Sequence, residues 1–163
     1  MIRLNTLIAH SFTYAFDSYG SAFDQYGNPG DLWTEDDFQA YMEKITKLAD
    51  YYSTMQLGEG DYAQCQVIAE NLSADIAGMK AMLSIAATKP DFDYDTFFRA
   101  YAGKWMSEST LDEVQFRNEL SPYPPENIRA NMVLQQFGEF HDFYGITEGD
   151  SMYLAPEDRV QVW

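Results

Sequence analysis

A chain of 163 residues that is 46% apolar is long enough to enclose one hydrophobic core and too apolar for disorder, so a single compact domain over residues 1–163 is expected. Its 26 acidic residues against 10 basic ones give a net charge of −16, which repels phosphate backbones and anionic lipid and argues against nucleic-acid and membrane partners. A lone cysteine, Cys65, can form neither an internal disulfide nor a thiolate metal cluster, and is expected as a small buried hydrophobe.

Leu4 to Phe16 has helical periodicity, with Leu4, Leu7, Ile8, Phe12, Ala15 and Phe16 in a broad apolar stripe, so this helix is expected to be largely buried. Ser18 to Asp31 is polar and punctuated by Gly20, Gly27, Asn28-Pro29 and Gly30, which predicts a loop. Thr34 then supplies an N-cap hydroxyl, and Glu35-Asp36-Asp37 fill a first turn ahead of Phe38, Tyr41, Met42, Ile45, Leu48, Ala49 and Tyr52 at helical spacing. That acidic run lacks the alternating oxygen spacing of a calcium loop. Gly58-Glu59-Gly60 breaks the helix, and a second long one is predicted from about Ala63 to about Thr88, with Val67, Ile68, Leu72, Ile76, Met79, Met82, Leu83 and Ala86 inside and Pro90 at its end. Asp91 to Ser107 and Ser109 to Leu120 give two shorter helical patterns, and Pro122, Pro124 and Pro125 force an extended or turn segment. A last helix near Met132 to Phe143, with His141 on its surface, precedes an irregular tail ending in Trp163. Nothing alternates with a period of two and no repeat is evident, so the fold class is all-α. No run approaches the ~18 apolar residues of a membrane span, and Met1 to Ala9 lacks the layout of a signal peptide, which leaves the cytoplasm as the default compartment.

The chemistry sits on the first helix. A zincin places two His at i and i+4 so that both imidazoles project from one face onto one metal, with a Glu after the first His as general base. Here position i is His10, the next residue is Ser11 and i+4 is Tyr14. Serine is no carboxylate base, and a neutral phenol is a poor zinc ligand at neutral pH.

Several segments together resemble the C-terminal part of the neprilysin and endothelin-converting-enzyme family of zinc metallopeptidases. The segment Ile8-Ala9-His10-Ser11-Phe12-Thr13-Tyr14-Ala15-Phe16-Asp17 is similar to the family's I-G-H-E-x-x-H-x-F-D, and Gly20, Phe23-Asp24, Tyr26-Gly27-Asn28 and Leu32-Trp33-Thr34 follow in the family's order. Ala74-Asp75-Ile76-Ala77-Gly78-Met79-Lys80 is similar to the end of E-N-x-A-D-x-x-G-x-K. Tyr123-Pro124-Pro125-Glu126-Asn127-Ile128-Arg129 stands where the family has H-x-P-x-x-x-R, and Met152 to Trp163 resembles its terminus.

Carried over residue by residue, the resemblance puts the metal ligands at His10, Tyr14 and Asn71, the base at Ser11 and the electrostatic stabiliser at Tyr123. Only His10 keeps the family's residue. Glu70 adjoins the third ligand position, but using it needs a one-residue shift, about 100° of helix rotation. Asp17 and Asp75 match residues that orient ligands from behind, and Arg129 matches one that contacts substrate backbone.

The resemblance therefore implies a zincin-like helical subdomain without the upstream sheet that aligns peptide, and a catalytically inactive homologue serving as a structural or protein-binding module. No catalytic residue, metal or cofactor is expected on this reading. The alternative is a fragment of an active zinc peptidase that uses His10, Glu70 and zinc, with its remaining ligands and substrate strand supplied by missing chain or by a partner. Helices that pack on that half leave apolar surface, so a protein partner or a homo-oligomer is expected.

Overall fold

The computed structural model describes residues 2–54, 56–58, 61–62, 66–121 and 123–162. Expectations for Cys65, Pro122 and Trp163, and for the side chains of Leu4 and Val67, lie outside the described residues. Two long helices dominate what is described. Helix α2 (Glu35–Ser53) starts where the sequence puts it, with the Thr34 hydroxyl accepting from Asp37 N and three acids in the first turn favouring the positive end of the helix dipole. Its buried Tyr41, Ile45, Leu48, Ala49 and Tyr52 recur at three- and four-residue spacing and face helix α3 (Gln66–Ala86). The expected inner residues Ile68, Leu72, Ile76, Met79, Met82, Leu83 and Ala86 of α3 are all buried.

Between them lies a short antiparallel pair, β1 (Gln56–Gly58) and β2 (Asp61–Tyr62), with Gln56 opposite Tyr62. Elements this short carry no detectable period of two, and the chain stays all-α in class. Helix α4 (Tyr94–Lys104) is capped by Asp93 and shorter than the sequence pattern suggests. Helix α5 (Leu111–Leu120) begins with a reciprocal capping box between Thr110 and Glu113. Phe97, Phe98 and Tyr101 of α4 complete the core together with Ile128, Met132 and Val133.

Three expectations need correction. The last helix is two: α6 (Glu126–Gln135) follows Pro125 directly, and α7 (Gly138–Tyr144) starts after an extended Phe137. The break is fixed by Gln136, which is fully buried and accepts from Val160 N at 2.7 Å, so its side chain pairs the tail instead of continuing a helix face. His141 is not on the surface. It is 4% exposed, with Nε2 3.1 Å from Gln135 O and Nδ1 3.1 Å from an Arg159 nitrogen. Burial, then the Arg159 charge, holds its pKa below the usual value. The tail is irregular, yet Val160 and Val162 are buried in the core and Lys44 and Lys47 of α2 donate to the Val162 and Glu157 carbonyls.

The third correction concerns helix α1 (Ile2–Thr13), which ends before Ala15 and Phe16. Its polar side faces inward: Thr6 and His10 are buried, whereas Leu7, Ile8, Phe16 and above all Phe12 (69%) are exposed. The close approach of α1 to α3 makes this orientation possible. A Cβ on Gly78 would sit 2.8 Å from Thr6 O and 3.1 Å from His10 N, both in the α1 backbone. Only glycine lets the helices approach this far. Gly78→Ala should therefore push α1 off α3 and cost about 1–3 kcal/mol, read as a lower urea midpoint at unchanged slope.

Candidate functional site

The inward side of α1 meets α3 at one buried carboxylate. Asp75, 3% exposed, receives the Arg129 guanidinium of α6 through Nε and, at 3.1 Å, through Nη2. His10 Nδ1 stands 2.9 Å from the same carboxylate but off the line of a good hydrogen bond. A buried carboxylate needs donors, and Arg129 supplies two.

A second chain of contacts runs through Tyr14. Its hydroxyl donates to Asn71 Oδ1 at 2.7 Å and lies 2.8 Å from His10 Nε2. A phenol has one proton, so with that proton on the Asn71 side the imidazole Nε2–H is the donor to the Tyr14 oxygen. Tyr123 lies near enough to act on the same hydroxyl electrostatically. Burial first, and Tyr123 second, push the Tyr14 pKa up to about 12. His10 and Asn71, far apart in the sequence, thus meet at the Tyr14 oxygen.

These donors do not suit zinc. Nε2 of His10, the nitrogen aimed at Tyr14, carries a proton in this arrangement, and the neutral phenol and amide beside it are poor zinc ligands. Among the described residues no three His, Cys, Asp or Glu side chains gather as a metal site requires. Glu70 is directed elsewhere, with the Tyr41 hydroxyl donating to its Oε1 at 3.3 Å. Asp17 caps the turn after α1, accepting from Tyr19 N and Gly20 N, and adds with Glu70 to the field at Tyr41. The Ser11 hydroxyl is exposed and donates to Leu7 O at 3.0 Å.

Beside this network opens a cleft of about 400 Å³ lined by Trp105, Arg117, Tyr123, Pro124, Pro125 and Arg129 among others. The Arg129 guanidinium lies 4.1 Å over the Trp105 ring and 5.2 Å from the Tyr123 centroid. Lys104, 3.9 Å over Trp105, has its pKa lowered to about 8, chiefly by burial. Sequence reading finds neither Trp105 nor Lys104 here, because a Lys-Trp pair at a helix end has no diagnostic spacing.

Comparison with known proteins places this geometry. The model of Peptidase family M13 matches residues 4–160. A neutral endopeptidase of Lactococcus lactis subsp. cremoris is 31% identical over 160 residues, which are 98% of this chain and 25% of that protein. The crystal structure of PepO from Lactobacillus rhamnosis superposes with a TM-score of 0.89 at 26% identity, covering 98% of this chain and 25% of that one. The zinc metalloprotease Zmp1 of Mycobacterium tuberculosis, solved with an inhibitor, shares the fold at a TM-score of 0.78 and 24% identity, over 95% of this chain and 26% of its own. The chain spans about a quarter of the length of these relatives. No helix among the described residues is long and apolar enough to cross a membrane.

Two outcomes follow from the electrostatics. Asp75→Leu strands the buried Arg129 charge and should cost about 3–5 kcal/mol in urea unfolding. The second concerns alkaline pH. Burial, with Tyr123 as the next cause for Tyr14 and Asp158 for Tyr51, raises both phenols to about 12. They titrate near 10 in the unfolded chain, so above about pH 10 the unfolded state binds fewer protons than the folded one. Stability is thus full below about pH 10 and should fall as pH rises toward 12. Urea midpoints that stay level from pH 10 to 12 would contradict this sign.

Proposed function

The chain belongs to peptidase family M13, and from that premise we propose that it no longer hydrolyses peptides but serves as a structural or protein-binding module, by default in the cytoplasm. One observation carries the proposal: the residues at the metal-ligand positions are bonded to one another through the Tyr14 hydroxyl. Metal-assisted hydrolysis needs an ion to polarise the carbonyl and activate water, a base to take the proton and a donor for the oxyanion. Ser11 cannot serve as the base. Tyr123 offers a neutral phenol in place of an imidazole, and the ligand set lacks two of its three members. The cleft beside the network keeps what peptide binding needs without chemistry: flat apolar walls from Trp105, Tyr123, Pro124 and Pro125, and the Arg129 guanidinium at its base. Extended peptide backbone, which presents carbonyl oxygens along an apolar trace, is the class of ligand such walls accept.

A second reading keeps the enzyme: the chain is part of an active zinc peptidase, with further ligands and a substrate strand from other chain. It is favoured by the quarter-length match and by the exposed Leu7, Ile8 and Phe12 of α1, which suit burial against a partner or a second copy. On this reading zinc would use His10 and Glu70, and Glu70 would have to leave Tyr41 and turn about 100° around α3.

The two readings separate in one assay. Purified protein with added zinc should leave a quenched fluorescent peptide intact while still binding an unlabelled extended peptide, and Arg129→Ala should weaken that binding about tenfold or more. Zinc-dependent turnover that His10→Ala abolishes would establish the enzyme instead.

A further inference from the structure

Two side chains from distant parts of the chain end on one atom. His10 Nε2 of α1 is 2.8 Å from the Tyr14 oxygen and Asn71 Oδ1 of α3 is 2.7 Å from it. The hydroxyl gives its one proton to Asn71 and accepts from His10, so it joins both helices at once. The supports behind the partners persist too: Asp75 stands at His10 Nδ1, and Arg129 holds Asp75 from the far side. Metal-bound imidazoles are oriented by a carboxylate at their other nitrogen, and Asp75 stands at that nitrogen of His10.

We propose that the Tyr14 hydroxyl has taken over the cross-linking work of a metal ion, tying α1 to α3, while the surrounding backbone keeps an arrangement into which zinc returns once Tyr14→His and Asn71→Glu are made. The inference rests on the non-hydrolytic reading above and adds what replaced the metal. Its chemistry is a matter of matched sets. Two imidazoles four residues apart on α1 and one carboxylate from α3 make the two-His, one-Glu set that holds zinc with a position left for water, whereas one imidazole, one phenol and one amide form a neutral hydrogen-bonded set that needs no ion. Conversion requires both substitutions. Tyr14→His alone leaves two imidazoles and a neutral amide, and Asn71→Glu alone leaves one imidazole and one carboxylate beside a phenol. Ser11 is not involved, because the residue after the first His serves the reaction and not the metal.

The test uses the full chain, zinc sulfate as the probe, and two variants. Zinc uptake is read by competition with a chromophoric chelator, and melting is followed by circular dichroism with and without EDTA. Wild type is expected to take up less than 0.1 zinc per chain in such a competition and to melt identically with EDTA, because a hydrogen-bonded hub releases nothing to a chelator. Tyr14→Phe keeps the ring and removes the hub, and should melt about 2–8 °C lower. Tyr14→His with Asn71→Glu should take up one zinc per chain and melt higher with zinc than with EDTA. A Tyr14→Phe variant that melts like wild type overturns the hub, and this measurement stands even if the double variant fails to fold. A folded double variant that takes up no more zinc than wild type overturns the retained arrangement while leaving the non-hydrolytic reading intact. Stoichiometric zinc in wild type, with turnover, overturns both.

Discussion

A single buried carboxylate sets the geometry of this domain. Asp75 sits in the middle of α3 with almost no access to water, and an ionised carboxylate there is tolerable only if cations and donors come to it. Arg129 of α6 donates to it from one side, so the rotation of α6 about α3 is fixed by that charge, and the His10 ring of α1 lies against its other side. Slipping α6 by one residue turns Arg129 about 100° away and leaves Asp75 without its hydrogen-bonded cation, a far larger penalty than repacking a leucine. The apolar core on the other side of α3 supplies most of the burial but is less exacting about register, since hydrophobic contact is not directional.

That charge explains the orientation of α1. Its apolar residues would ordinarily face the core, yet turning Leu7, Ile8 and Phe12 inward would carry His10 and Tyr14 away from Asp75 and Asn71. Gly78 makes the polar orientation possible by letting the α1 backbone lie against α3, so that short reach suffices for hydrogen bonds. The exposed apolar face of α1 is thus a consequence of the polar site beneath it.

The parts of the fold that read well from sequence are those where burial alone decides. Helices α2 and α3 repeat large apolar residues every three or four positions, and Thr34 and Asp93 are capping residues in the right places. The parts that read poorly are those where a polar residue decides. The α1 stripe has a convincing period and faces the wrong way, because periodicity reports amphipathicity but not which side a buried charge will claim. Gln136 ends α6 by pairing the tail, and nothing local in the sequence distinguishes it from a surface glutamine. His141 is indistinguishable in sequence from a solvated histidine, and only the fold brings Arg159 and the Gln135 carbonyl to its two nitrogens. The site itself was legible as a set of positions, since Tyr14, Asn71 and Tyr123 fall where the resemblance puts two ligands and a stabiliser. The bonding of Tyr14 to His10 and Asn71 was not, because substitutions that look like losses one at a time form a matched set only in three dimensions.

The electrostatic consequences of that set extend to Asp75. Two imidazoles, one carboxylate and a divalent ion sum to a net positive centre, and a carboxylate behind such a centre is held by it. With a phenol and an amide in two of those places the centre is neutral, and the attraction holding Asp75 must come from elsewhere. Arg129 supplies it, at the cost of having its guanidinium edge occupied by Asp75 while its face lies on Trp105. The same Arg129 lines the neighbouring cleft. Whatever enters that cleft therefore meets a guanidinium whose position is set by the buried carboxylate, and a ligand that draws Arg129 outward weakens the contact that holds α6 to α3. Binding at the cleft and the stability of the α1–α3–α6 junction are linked through one side chain, and any ligand that pulls on it must do so against the full desolvation penalty of leaving Asp75 alone.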